Sequence, residues 1–133
     1  MPIFTGMTIK TLIQSFLRVA SMAEWTEVSP ASEFGPGQSR LVTIAGVAIA
    51  VFNLDGKYYA LEDVCTHDGS PLLGCGLKPE EIMDGDQIIC PRHGARFCIR
   101  TGAALTPPAY EPVPCFPVRI MDGMVQTRDN RRD

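Results

Sequence analysis

The segment LEDVCTHDGS, residues 61–70, runs from an apolar, strand-like approach into Cys65, one intervening residue, His67, and then Asp68-Gly69. A second segment, IICPRHGARF at 88–97, repeats the theme with Cys90, two intervening residues, His93 and Gly94. A thiolate and an imidazole so spaced can approach one ion or cluster from a single turn. The glycines at 69 and 94 permit backbone turns that aim amide N–H groups inward. Two cysteines with two histidines are compatible with tetrahedral zinc, or with a [2Fe–2S] centre in which one iron takes both thiolates and the other both imidazoles. Structural zinc sites usually group like with like, as C-x₂₋₄-C and H-x₃₋₅-H. Here each segment carries one of each, which suits a flat two-iron rhomb that both loops must span.

Around these segments the chain reads as short strands. RLVTIAGVAIAVFNLDGKYYALEDV predicts strands over 40–45, 47–53 and 57–61, turned at Gly46 and at Asp55-Gly56; Asp-Gly between such runs is a strong hairpin signal. Further strands are expected at 87–90 and 96–100, and in CFPVRIMDGMVQTR (115–128), which Asp122-Gly123 divides. The first Cys/His pair follows a strand and the second closes one, so both belong to loops that neighbouring strands can hold side by side. No repeat of solenoid period is visible. The 133 residues make one domain, and 11 prolines with 12 glycines spread along the chain fit many strands joined by tight turns.

Residues 1–21 differ from the rest. They hold no acidic residue, and Ile9, Leu12, Ile13, Phe16, Leu17 and Ala20 fall on one stripe of a helix. The expected division is therefore an N-terminal helical extension over 1–21 and a β domain over 22–133. A formal net charge of -3 with no basic stripe argues against nucleic-acid binding. No apolar run reaches the roughly 18 residues of a membrane span. Five cysteines, an odd number, without a secretory signal favour free thiols and metal ligands over disulfides, and a cytoplasmic location.

The pattern C-T-H-x-G…C-P-x-H-G resembles the Rieske iron–sulfur family. So do Trp25, FNLDGKYYALEDVCTH (52–67), RFCIRTG (96–102) and LTPPAYEPV (105–113), which are similar to Rieske-type ferredoxins of bacterial aromatic-ring-hydroxylating dioxygenase systems. The resemblance covers about residues 24–127. It implies an all-β Rieske fold, an antiparallel β-sandwich with a small two-loop cluster-binding subdomain. It also implies one [2Fe–2S] cluster per chain. Cys65 and Cys90 would bind the buried, ferric iron, and His67 and His93 the outer, redox-active iron. Pro107 and Pro108 would shield the cluster. High-potential members add a cysteine to each loop and hydroxyl donors after the second histidine; the equivalent positions here are Ser70, Arg92, Ala95 and Phe97. Each missing donor disfavours added negative charge, so the potential is expected toward the lower end of the Rieske range, about -150 mV.

Both histidines are committed to this site, so no second iron held by two histidines and a carboxylate is available, and the chain is too short for an oxygenase domain. Nor is there a G-x-G-x-x-G fingerprint of a reductase. The expectation is a one-electron carrier and not an enzyme. It would take electrons from an NAD(P)H-dependent flavoprotein reductase and pass them to a terminal Rieske non-haem iron oxygenase, with transient docking at the His67/His93 tip and no small-molecule substrate. Two alternatives stand beside it: the small subunit of an assimilatory nitrite reductase, and a cluster- or zinc-bearing module for redox sensing or assembly. Cys75, Cys98 and Cys115 lack a C-x-x-C pattern and read as buried or semi-buried free thiols. Asp68 could tune the adjacent imidazole or form part of a docking face, and the acids of 78–86 could guide a basic partner surface, but the default readings are a solvated turn residue and a solvated loop.

Overall fold

A computed structural model of the chain describes residues 24–73 and 78–131, and the helix expected over 1–21 lies outside them, as does Cys75. Ten strands follow in order: β1 Thr26–Pro30, β2 Ser39–Ile44, β3 Val47–Leu54, β4 Lys57–Glu62, β5 Met83–Asp84, β6 Gln87–Ile89, β7 Arg96–Cys98, β8 Cys115–Phe116, β9 Val118–Met121 and β10 Met124–Thr127. A 3₁₀ turn occupies Ala31–Glu33 and a single α-helical turn Pro79–Ile82. All pairings are antiparallel, in three sheets ordered β1-β10-β9, β2-β3-β4-β8 and β5-β6-β7.

Three two-residue turns set the register of the hairpins. Ala45-Gly46, Asp55-Gly56 and Asp122-Gly123 all have positive φ at both residues, the signature of a turn whose twist matches right-twisted strands. β3 then pairs residue for residue with β2 and with β4, Phe52 opposing both Ser39 and Tyr59.

β3 is central because it is apolar on both faces. Its residues 49–54 are all buried. Ile49 and Val51, with Ala60 and Phe116, pack toward Val125 of the first sheet and Phe34, which follows the 3₁₀ turn. Ala50, Phe52 and Leu54, with Leu61, pack on the opposite side against Leu72, Ile82, Ile88, Phe97 and Ile99. The four-stranded sheet is thus sandwiched, with the β1-β10-β9 sheet below it and the β5-β6-β7 lobe above. Its one buried polar side chain is satisfied: Asn53 Nδ2 donates to the Phe34 carbonyl (2.8 Å) and Oδ1 accepts from Gly56 N–H (2.7 Å). Pro117 separates β8 from β9, where the chain passes from the four-stranded sheet to the first one.

The stretch 78–86 is not the solvated loop expected. Pro79 opens the helical turn, whose missing N–H costs nothing at that position. Glu81 Oε2 accepts from Lys78 N–H at 3.0 Å, and Ile82 is buried in the upper core. Asp84 and Asp86 pair with Arg96 (3.0 Å) and Arg100 (3.4 Å) of the same lobe. The strand expected over 96–100 ends at Cys98, because Gly102 N–H returns to the Cys98 carbonyl (2.7 Å) and closes a turn.

Candidate metal centre

Two loops at one end of the upper lobe carry the four residues singled out by their spacing. In the first, Cys65 N–H donates to the Ser70 carbonyl (2.7 Å) and Gly69 N–H to the Cys65 carbonyl (2.7 Å). In the second, Cys90 N–H donates to the Ala95 carbonyl (2.7 Å) and Gly94 N–H to the Cys90 carbonyl (2.9 Å). The two six-residue loops therefore share one backbone frame, cysteine first and glycine fifth. Gly69 (φ 78°) and Gly94 (φ 75°) hold the left-handed conformation that closes it, where an L side chain would be strained.

The frame sorts the side chains by depth. Cys65 and Cys90 are buried at 0% and 1% exposure, whereas His67 and His93 are exposed. The imidazoles meet edge-on, with ring centroids 4.6 Å apart and planes at 78°. Burial pushes the Cys65 thiol up, and the adjacent Cys90 thiol adds to this; the N–H groups of His67 and Asp68 oppose it. The buried Cys65 thiol resists ionisation, and a positive centre beside it would remove that cost. Amides aimed at a sulfur are also what an anionic thiolate needs.

Surrounding residues hold the loops in place. Thr66 Oγ1 donates to the Glu111 carbonyl (2.7 Å), tying the first loop to the segment 105–113, where Pro107-Pro108 is cis and Ala109 is buried. Arg96 N–H donates to Thr106 Oγ1 (2.9 Å) at the other end of that segment. Ala95 and Phe97 are fully buried and offer no hydroxyl, as the sequence reading requires.

Two acids also contribute, of which sequence reasoning missed Asp63. Buried Asp63, two residues before Cys65, accepts from the N–H groups of Leu72 (3.1 Å) and Leu73 (2.6 Å), which pins the chain leaving the first loop. Its signal was an acid at the end of an apolar run. Asp68 is more than a solvated turn residue. Its Oδ1 accepts from Ser70 N–H (3.0 Å), while Oδ2 lies 3.5 Å from His93 Nδ1 and 3.7 Å from Arg92 Nε. Ser70 first, then His93 and Arg92, hold its carboxyl below the usual range. A carboxylate oxygen of Asp68, a ring nitrogen of His67 and the Cys65 sulfur all lie within 4.8 Å of one another.

Two further thiols are described. Cys98 is half-buried, as expected, but Cys115 is exposed, its S–H donating to the Thr101 carbonyl at 3.0 Å. No helix among the described residues is long and apolar enough to cross a membrane.

The donor set fits a [2Fe–2S] group: two sulfurs inside, two nitrogens outside, on loops that share a frame. Structural zinc sites usually group like donors with like along the chain, and the mixed cysteine–histidine pairing in each loop disfavours that. Residues 24–117 match the family described as Rieske [2Fe-2S] domain. The chain is 35% identical over 96 residues to the biphenyl dioxygenase ferredoxin subunit of Pseudomonas sp. (strain KKS102), covering 72% of this chain and 84% of that one. It is 35% identical over 109 residues to ferredoxin CarAc of Metapseudomonas resinovorans, covering 81% and 96%. Among solved structures, the Sphingomonas yanoikuyae B1 ferredoxin superposes with a TM-score of 0.67 at 31% identity, covering 80% and 99%. A chain from the complex of reduced oxygenase and oxidized ferredoxin in carbazole 1,9a-dioxygenase gives 0.68 at 35% identity, covering 78% and 92%.

Proposed function

The chain belongs to the Rieske [2Fe–2S] domain family, and from that premise we propose that it is the ferredoxin of an aromatic-ring dioxygenase system. In this reading it relays single electrons from an NAD(P)H-dependent flavoprotein reductase to a terminal Rieske oxygenase. It is a carrier and makes or breaks no substrate bond. Cys65, His67, Cys90 and His93 would hold its one cluster. When bound, that group supplies a centre that takes up and returns one electron at a time.

The residues of the chain divide the remaining work. Cys65 and Cys90 sit where water is excluded, so the sulfur ligation is protected. His67 and His93 present imidazole edges at the surface, which brings a docked partner within a short path of the centre. Ala95 and Phe97 withhold hydroxyl donors, and the potential belongs near the low end of the family range, about -150 mV. Docking at the tip would use a modest, transient patch, as redox encounters do. The observation that carries the reading is the sorting of donors, sulfurs inside and imidazoles outside at one tip.

Iron and acid-labile sulfide analysis tests the site, with about two of each per chain expected. Rapid mixing of the reduced protein with a terminal oxygenase tests the role: reoxidation is expected. A protein loaded with cluster that neither a flavoprotein reductase reduces nor any dioxygenase reoxidises is not this carrier.

A further inference from the structure

The two loops are separate segments, and what keeps them in register is written in few side chains. Cys65 and Cys90 are free thiols, so no covalent bond joins the loops through them. Thr66 ties the first loop to residue 111, not to the second loop. Where the loops meet, the two sulfurs and the two imidazoles lie side by side, and Asp68 is the acid among the described residues that reaches across. One carboxylate oxygen is fixed to its own loop by Ser70 N–H; the other faces Arg92 and His93. Within the shared frame, Asp68 is fourth in its loop, the place that His93 occupies in the other. The carboxylate therefore stands against the third and fourth residues of the facing loop.

We propose that Asp68, through Arg92, is the positioning residue that holds the two loops together and sets how long the site retains its cluster. The inference rests on the cluster reading given above. Fixing one oxygen by a backbone N–H removes most of the rotamer freedom that makes surface pairs weak. Arg92 approaches the other oxygen at 3.7 Å with its side chain 67% exposed, so the attraction is electrostatic and weakened by solvent. A negative charge beside His93 also disfavours the reduced, more negative state of the centre, and a positive charge at Arg92 favours it.

The test uses the holoprotein and follows loss of the visible absorbance under a ferrous chelator. Asp68→Asn and Arg92→Gln are each expected to speed cluster loss by about two- to fivefold, the range of a well-fixed surface pair. The double variant should be no faster than either single one. At about 1 M salt, where the screening length is near 3 Å, the difference between wild type and Asp68→Asn should shrink. Voltammetry supplies a readout that plain scaffolding would not move: Asp68→Asn should raise the potential and Arg92→Gln lower it. Unchanged lifetimes, or a double variant as fast as the product of the single effects, overturns the proposal while leaving the cluster intact. A wild-type protein that takes up no iron and sulfide would instead remove the premise.

Discussion

In the loop 65–70 the imidazole stands two residues after the sulfur, and in 90–95 it stands three after, although the same two backbone hydrogen bonds close both loops and only the first adds Asp68 N–H to the Cys65 carbonyl (3.3 Å). Frame and donors are therefore separate properties. Cysteine at the first place and glycine at the fifth build the turn; the place of the histidine within it decides where the ring emerges. The stagger lets the rings meet edge-on and leaves Asp68 and Arg92 in the places the histidines do not take.

The comparison breaks most completely at the sulfurs. Cys65→Ser or Cys90→Ser is expected to abolish iron and sulfide retention, because a buried hydroxyl cannot replace a thiolate there, while the far-UV spectrum keeps its β signature. A finer cut exchanges two neighbours: Arg92→His with His93→Arg gives the second loop the spacing of the first. The frame should survive, with a melting temperature near wild type, yet iron content should fall severalfold; full retention would show that the stagger does not matter. The exits differ as well. The first loop is pinned by buried Asp63, whereas the second runs directly into β7. Asp63→Ala leaves two N–H groups without this acceptor and is expected to cost about 1–3 kcal/mol in urea unfolding. The smallest effect tests equivalence itself. Gly69→Ala and Gly94→Ala meet no atom within 4 Å, so backbone strain alone remains, about 1–2 kcal/mol at each. Clearly unequal losses would mean that the loops are not two copies of one frame.

Much of this was legible from local chemistry. Asp55-Gly56 and Asp122-Gly123 announce their turns because few other residue pairs accept positive φ twice in succession, and the hairpin boundaries fall within a residue or two of expectation. The Cys/His pairs, with Gly69 and Gly94, were legible for the same reason, since each is a short-range pattern. What escaped depends on contacts between distant segments. Asp63 and the amides of 72 and 73, Asp68 and the loop 90–95, and Ile82 entering the upper core are pairings that no window of a few residues displays. Cys115 was expected to be at least half-buried, but β8 is a two-residue strand at the rim of its sheet, and its thiol faces outward beside Thr101.

The apolar run of β3 serves as ceiling for one core and floor for the other. Cutting away either half would strip the other of its packing surface, so the lobe that carries the Cys65 and Cys90 loops is expected not to fold alone as a minimal redox peptide. Calorimetry should accordingly register one heat-absorption peak, with bleaching of colour and melting of the distant β1-β10 ribbon arriving at the same temperature.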